Sequence, residues 1–153
     1  MISQFKSADL ITAYKMIEPK QTVLIATKGA TEGLYNITPY AWCMPIDYDP
    51  VTKVILSSDP KHQTAINIKR TRRFAVCVPT DLNDPIIEQC GSVSAPDADK
   101  FAQFSIHGEP ADKIDVKIPV DNVSAWIECE LVCCIPEGSV ELFIGKAVAA
   151  FQR

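Results

Sequence analysis

Short runs of apolar residues, each closed by turn-forming residues, are the dominant pattern along the chain. Residues 22–27 and residues 74–79 form two such runs. Residues 125–135 begin with alternation and become fully apolar, and residues 140–151 return after a turn at Gly138. Runs of this length and composition predict buried β-strands, with the last two paired as a long hairpin.

The segment 34–44 predicts an interrupted strand, because Pro39 lies in its middle and cannot donate a hydrogen bond to a sheet ladder. Backbone groups near Pro39 must then find partners outside a regular ladder. Residues 51–57 predict a further strand, which ends at a Ser-Ser-Asp-Pro turn signal.

That turn signal also predicts a helix. Asp59 followed by Pro60 is typical of an N-cap and a first helical position, and the helix is expected to run to about Arg73. Its predicted inner face consists of Ala65, Ile66 and Ile68.

Two shorter helices are predicted over residues 85–90, after an Asp84 cap, and over residues 100–104, with a loop at 91–99 between them. Six or so strands with short helices between them favour a mainly β protein, an antiparallel β-barrel with helices at its ends. A chain of 153 residues with no linker or repeat predicts one domain, residues 1–153.

Composition and charge argue against two classes of partner, nucleic acids and membranes. Fifteen basic and nineteen acidic residues give a net charge of -4, which opposes attraction to nucleic acid and to anionic membranes. No apolar run approaches the roughly 18 residues of a membrane span, and the first ten residues lack the pattern of a secretory leader. We therefore expect a soluble, cytoplasmic protein with neither a nucleic-acid nor a membrane partner.

Several kinds of catalytic or metal site are not supported. The six cysteines and two histidines lack zinc-ligand spacing, so we expect reduced, buried thiols and no metal. The glycine signatures of Rossmann and P-loop nucleotide sites and the G-x-S-x-G of serine hydrolases do not occur.

The segment 57–64 is the first candidate for chemistry, because it joins a strand end to a helix start, where free amides and the helix dipole attract anions. Ser57, Ser58 and Thr64 offer hydroxyls, and Lys61 offers a charge, so a phosphate would fit there. The alternative is structural: Asp59 caps the helix and Lys61 is solvated surface.

The second candidate is the segment 36–43, where irregular backbone groups lie beside Tyr40 and Trp42. Such a segment suits the edge and face of a flat heterocycle. It is equally typical of an aromatic corner in a barrel.

These segments, in this order, resemble the flavin reductase-like, FMN-binding split-barrel family, and within it the flavoredoxin-like branch. The likeness is carried by residues 36–50, by residues 55–69 continuing into 74–79, and by residues 90–101. It implies a six-stranded antiparallel split barrel that forms a homodimer, with FMN bound near the dimer interface.

The resemblance assigns binding roles by position. The isoalloxazine ring would lie against Asn36, Ile37, Thr38, Pro39, Tyr40, Ala41 and Trp42, mainly against their backbone groups. The phosphate would be held by Ser57, Ser58, Lys61 and Thr64. A loop near the flavin, reaching it from the same or the other subunit, would contain Cys90, Gly91, Ser92 and Ser94.

The implied activity is reduction of flavin, of ferric complexes or of a redox partner, with NAD(P)H as transient donor and other small molecules as donors and acceptors. The flavin carries the electrons, so we assign no catalytic residue. One departure bears on this activity: the family's Ser-Gly-Arg is Ser94-Ala95-Pro96 here. The alternatives are a non-catalytic flavin carrier or electron-transfer module, and a barrel that has lost FMN or binds haem.

Overall fold

The computed structural model describes residues 21–153, and the expectation about a leader lies outside these residues. Within this range the chain forms nine strands and three helices. The strands are β1 (Val23–Lys28), β2 (Tyr35–Tyr40), β3 (Cys43–Asp47), β4 (Lys53–Ser58), β5 (Arg73–Pro79), β6 (Glu109–Pro110), β7 (Lys117–Ile118), β8 (Val123–Glu137) and β9 (Val140–Gln152). The helices are α1 (Gln63–Thr71), α2 (Pro85–Ser92) and α3 (Lys100–Gln103).

Seven of these strands form one antiparallel sheet in the order β2-β1-β5-β8-β9-β4-β3, and β6 pairs with β7 in a second, small sheet. β2 and β3 are the two outer strands, yet only Ala41 and Trp42 separate them in the chain. Because consecutive Cα atoms are about 3.8 Å apart, the sheet must curve until its two edges meet at this link. The result is an open antiparallel barrel, as the sequence predicted.

The predicted interrupted strand is thus confirmed, although the break falls at residues 41 and 42 and not at Pro39. Pro39 is tolerated within β2 because β2 is an outer strand that pairs only with β1. Counting β2 and β3 as the single broken strand of the prediction, the seven strands correspond to the six expected.

Both faces of the central strands are buried, which explains their continuous apolar runs. Leu24 and Ala26 of β1 point into a core shared with α2 and α3. Val23 and Ile25 point to the opposite side, into a core shared with α1. The helices therefore cover both sides of the sheet.

The start of α1 differs from the prediction. Asp59 and Pro60 form a turn, and the helix begins at Gln63, with His62 as its N-cap. It ends at Thr71, before Arg72, which adopts a left-handed conformation with φ 59°. The predicted inner face was wrong at Ile66, which is 43% exposed. Its buried residues are Thr64, Ala65, Asn67 and Ile68.

The other helices begin where predicted, but α2 continues to Ser92. The prediction that Cys90, Gly91 and Ser92 lie in a loop was therefore wrong, because the helical turn continues past Cys90. The carboxylate of Asp84 accepts a hydrogen bond from the Ile86 amide at 3.0 Å and caps α2, while α3 begins at Lys100. The long hairpin of β8 and β9 is also confirmed. In residues 21–153 we find no helix with the length and apolar character needed to cross a bilayer.

Candidate functional site

A narrow cleft opens where β2, the start of α1 and the segment after α2 meet. Asn36 and Thr38 of β2 form one side, and Gln63 and Thr64 of α1 form another. The loop after α2 supplies the third side, and Lys100 of α3 completes the lining. The cleft encloses about 80 Å³, whereas pockets for whole ligands measure roughly 300–1,000 Å³. It therefore has room for one end of a ligand.

The turn before α1 directs the helix N-terminus at this cleft. The Asp59 carboxylate accepts from the Lys61 amide at 2.8 Å, and the His62 amide donates to the Asp59 carbonyl at 3.0 Å. This turn delays the helix until Gln63. His62 makes no side-chain capping hydrogen bond, so its side chain leaves the first-turn amides to other partners. The positive end of the helix dipole lies in the same wall.

Buried hydroxyl and amide groups connect β2 to α1. The amide of Asn36 donates to Thr38 Oγ1 at 3.1 Å and to Thr64 Oγ1 at 3.3 Å. The hydroxyls of Tyr40 and Ser58 lie 2.8 Å apart. Burial raises the pKa of Tyr40, and hydrogen bonds with Ser58 and Thr64 oppose that rise. The network fixes the two walls relative to each other.

Lys100 places a buried cation in the cleft wall, since the residue is 3% exposed. Its Nζ donates to the carbonyl of Ile37 at 2.9 Å and to Thr38 Oγ1 at 3.0 Å. Burial lowers the pKa of this ammonium to about 8, while Cys90 acts in the opposite direction. The bond to Ile37 gives an outer-strand carbonyl near Pro39 the non-ladder partner that the sequence required.

α2 packs directly on β2 beside the cleft. A Cβ atom at Gly91 would lie 3.0 Å from Cγ of Pro39, so only glycine fits there without a shift of the ring. The preceding residue, Cys90, is fully buried, and burial raises the pKa of its thiol to about 11. Cys90 is therefore a neutral core residue.

A second, larger cavity follows the sheet, and we call it the apolar groove. It encloses about 720 Å³ and reaches the link between β2 and β3. Its lining includes Val23, Trp42, Met44, Val54, Val76 and Ile127. Trp42 and Met44 are 54% and 59% exposed, so this face presents apolar surface to its surroundings.

The structure separates the predicted binding residues into groups. Asn36, Thr38, Thr64, Gly91 and Ser94 line the cleft. Ala41, Trp42 and Ser57 line the apolar groove. Neither cavity is lined by Ile37, Tyr40, Ser58 or Cys90, which are buried, or by Pro39, whose ring contacts the Gly91 position. Lys61 and Ser92 are exposed and lie outside the cleft lining.

Sequence reasoning missed five lining residues, namely His62, Gln63, Val93, Ala95 and Lys100. Lys100 falls within the third stretch that carried the resemblance, but its contacts are with residues 62 and 63 positions earlier. The residues next to Lys100 in the sequence do not indicate that it will contact Ile37 and Thr38. A lysine followed by apolar residues predicts only the start of a helical turn.

The chemistry of the cleft fits an anionic group. Of the ten described residues in its lining, none is Asp or Glu, whereas Asn36, Thr38, Gln63, Thr64 and Ser94 carry donors and Lys100 carries a charge. Uncapped helix amides strengthen the preference for an anion. Fold and cleft together define an open barrel whose cleft suits the anionic end of a ligand.

The particular family follows from comparison with known proteins. The model of the family described as "Flavin reductase like domain" matches residues 16–153. The chain belongs to this family and has the FMN-binding split-barrel fold, so the resemblance seen in the sequence is confirmed. Membership indicates an oxidoreductase in general terms.

Individual relatives agree with this assignment. The uncharacterised protein YddH of Escherichia coli (strain K12) is 27% identical over 150 residues, covering 97% of this chain and 79% of YddH. The FMN-binding protein of Thermus thermophilus, solved with 1-cyclohex-2-enone, superposes with a TM-score of 0.79 at 22% identity, covering 97% of this chain and 78% of that one. Flavoredoxin of Desulfovibrio vulgaris (Miyazaki F) has a TM-score of 0.75 at 20% identity, with coverage of 87% and 69%. At these identities the two structures establish the fold alone.

Proposed function

We propose that the protein binds FMN and acts as a flavin reductase-like oxidoreductase, with NAD(P)H as transient electron donor. The observation that carries the proposal is the carboxylate-free cleft between β2 and the uncapped start of α1. Family membership supports flavin as the ligand. The acceptor is a flavin, a ferric complex or another small redox partner.

The phosphate is assigned to the α1 side of the cleft. Thr64 supplies a hydroxyl, Gln63 an amide, and the first turn of α1 supplies backbone N–H donors. We give Ser58 a supporting role, because its hydroxyl is hydrogen-bonded to Tyr40 and to the Asp59 carbonyl. Lys61 is exposed and would act only as a charge at the mouth of the cleft.

The ring is assigned to β2 and the link that follows it, residues 36–42. This segment borders both the cleft and the apolar groove, so a ligand with a small anionic end and a larger flat end would span the two. Bound FMN would accept two electrons from the donor and pass them on, singly or together. The protein contributes position, exclusion of water and the electrostatic environment.

The loop after α2 affects which nicotinamide, NADH or NADPH, we expect as the electron donor. Ser94 and Ala95 line the cleft, and the arginine expected from the family pattern is replaced by Pro96. A nicotinamide donor with an added phosphate therefore lacks one cation here, which favours NADH over NADPH.

We further propose a homodimer that covers the apolar groove with a second copy of the chain. Trp42 and Met44 are apolar side chains of the kind that are enriched at protein interfaces, and both are more than half exposed. Sedimentation equilibrium tests this: a dimer is expected for the wild type and a monomer for Met44→Lys. The cytoplasm, where the six thiols stay reduced, is the proposed location.

The phosphate assignment is tested by comparing FMN with riboflavin, which lacks the phosphate. Thr64→Val should weaken FMN binding about 10-fold to 100-fold, the loss typical of a hydrogen bond to a charged group. Riboflavin binding should change little. Quenching of flavin fluorescence measures both dissociation constants.

Thr71→Val is the matched control, because Thr71 lies at the other end of α1 and donates to the Asn67 carbonyl. It should leave both affinities unchanged. Equal losses for FMN and riboflavin in the Thr64 variant would contradict the assignment.

Two spectra separate the remaining alternatives. Anaerobic mixing of the FMN-loaded protein with NADH or NADPH should bleach the flavin band; no bleaching by either would favour a flavin carrier or electron-transfer module. A protein that has lost FMN would show no flavin band after incubation with it, and a haem protein would show a Soret band.

A further inference from the structure

Lys100 is a buried charge without an anionic partner among the described residues. Lysine is almost never buried unless it is paired. Both recorded acceptors of its Nζ, the Ile37 carbonyl and Thr38 Oγ1, are neutral. None of the ion pairs within residues 21–153 includes Lys100. Burial of the Lys100 charge therefore has a desolvation cost, which the two hydrogen bonds to neutral acceptors only partly offset.

Neighbouring acidic groups are engaged elsewhere. The Asp99 carboxylate accepts from the Ala102 amide and caps α3. The two Asp84 oxygens accept from the Ile86 amide and from the side chain of Asn122. Cys90, the group with an electrostatic effect on Lys100, has its pKa raised by burial and stays a neutral thiol at pH 7.

The hydrogen bonds of the Lys100 ammonium leave one N–H donor without an acceptor among the described residues. A lysine ammonium has three N–H donors, and the described residues supply acceptors for two of them. Lys100 also lines the cleft. One donor and the positive charge are thus available to a ligand, beside the β2 residues that we assign to the flavin ring.

We propose that Lys100 stabilises the negative charge that the flavin ring acquires on reduction. This inference rests on the proposed function, that is, on FMN binding in this cleft. Hydride transfer from a reduced nicotinamide adds two electrons and one proton to the ring, oxidises the nicotinamide and leaves the ring with one negative charge. A fixed cation beside the ring lowers the free energy of that reduced form and raises the midpoint potential.

Lys100→Met tests the proposal, because methionine keeps most of the length of the side chain and removes its charge. Binding of reduced FMN should weaken about 10-fold to 100-fold more than binding of oxidised FMN. For a two-electron couple this corresponds to a midpoint potential lower by about 30 to 60 mV. Spectroelectrochemical titration of the FMN-loaded protein measures the shift.

Three further variants complete the experiment. Lys100→Gln keeps hydrogen-bond donors without the charge and should give the same shift, and it replaces Lys100→Met if that variant does not fold. Lys100→Arg keeps the charge and should restore most of the potential. Lys69→Met is the matched control, since Lys69 lies on α1 but pairs with Glu141 of β9, and its potential should equal that of the wild type.

Each alternative role of Lys100 predicts a different combination of flavin affinities and midpoint potential. If Lys100 only supports β2, its loss weakens oxidised and reduced FMN equally and leaves the potential unchanged, which would overturn the proposal. A loss of oxidised FMN binding that spares riboflavin would place Lys100 at the phosphate and would also overturn it. Wild-type protein that binds no FMN would instead refute the proposed function.

Discussion

At the residue scale, a buried carboxylate organises the segment between the two small strands. Glu128 is 0% exposed, and its oxygens accept from the backbone amides of Asp112, Lys113 and Ile114 at 2.8, 2.6 and 3.2 Å. The indole of Trp126 donates a fourth hydrogen bond at 3.2 Å. One side chain of β8 thus fixes a loop that has no regular structure of its own.

Replacement of this carboxylate should be strongly destabilising. Glu128→Gln puts an amide donor against backbone donors, so we expect the free energy of unfolding to fall by about 2–4 kcal/mol. Urea unfolding followed by tryptophan fluorescence measures the change.

Glu130→Gln is the control from the same strand, because Glu130 forms partly exposed ion pairs with Arg73 and Lys146. Its loss should cost less than about 1 kcal/mol. Similar losses for the two variants would show that the amide contacts of Glu128 contribute little to stability.

Some of the residues that line the cleft were selected from the sequence, and others were not. Asn36, Thr38 and Thr64 were found because they lie on segments whose local signals, a strand interruption and a strand-to-helix junction, are visible in the sequence. Lys100 was not selected because its place in the cleft wall depends on contacts with β2 across more than sixty residues. Lys61 was chosen for its charge, but charge alone does not show whether a side chain points into a cleft.

At the element scale, β1 and β5 were predicted well because their apolar runs are buried on both faces and bounded by turn residues. The two-residue strands β6 and β7 were not predicted, because they are too short to form an apolar run. The start of α1 was misplaced. Asp59-Pro60 has the composition of a helix cap and equally that of a tight turn, and the hydrogen bond from the Lys61 amide to the Asp59 carboxylate selects the turn. The delayed start makes His62 the N-cap, and its side chain makes no capping hydrogen bond to the first-turn amides.

The packing of β9 against β5 depends on one glycine. A Cβ atom at Gly145 would lie 2.5 Å from Cζ of Phe74 and 3.1 Å from Cβ of Cys129. Phe74 is fully buried, so its ring has little room to move. We expect Gly145→Ala to lower the free energy of unfolding by about 1–3 kcal/mol, the usual cost of overpacking.

A second substitution should relieve the overpacking. In the Gly145→Ala, Phe74→Leu double variant the smaller side chain makes room for the methyl group, so the two losses should be less than additive. Thermal unfolding of the four proteins of the cycle measures the coupling. Strict additivity would mean that the glycine and the ring do not interact.

At the scale of the whole molecule, the fold brings two distant parts of the chain to one cleft. β2 is an outer strand of the sheet, and α1 follows β4 near the opposite edge. Curvature of the sheet joins these edges, so the start of α1 lies beside β2. The strands expected from the sequence indicated a barrel, but they did not show which side chains its curvature brings into the cleft or how much volume it encloses.

The division into a small polar cleft and a large apolar groove is a property of this closure. In the proposed function the cleft would hold the anionic end of the ligand, and the groove presents a surface that the proposed second copy would cover. A flavin mononucleotide has the matching division into an anionic tail and a flat ring. We therefore expect FMN to bind in one defined orientation, with its phosphate in the cleft and its ring toward the groove.

A crystal structure of the protein grown with excess FMN tests that claim most directly. We predict the phosphate within hydrogen-bond distance of the Thr64 hydroxyl and the first-turn amides of α1, and the ring along residues 36–42 beside Lys100. FMN bound only elsewhere, for example wholly within the apolar groove with its phosphate away from α1, would show that the start of α1 is not the phosphate site.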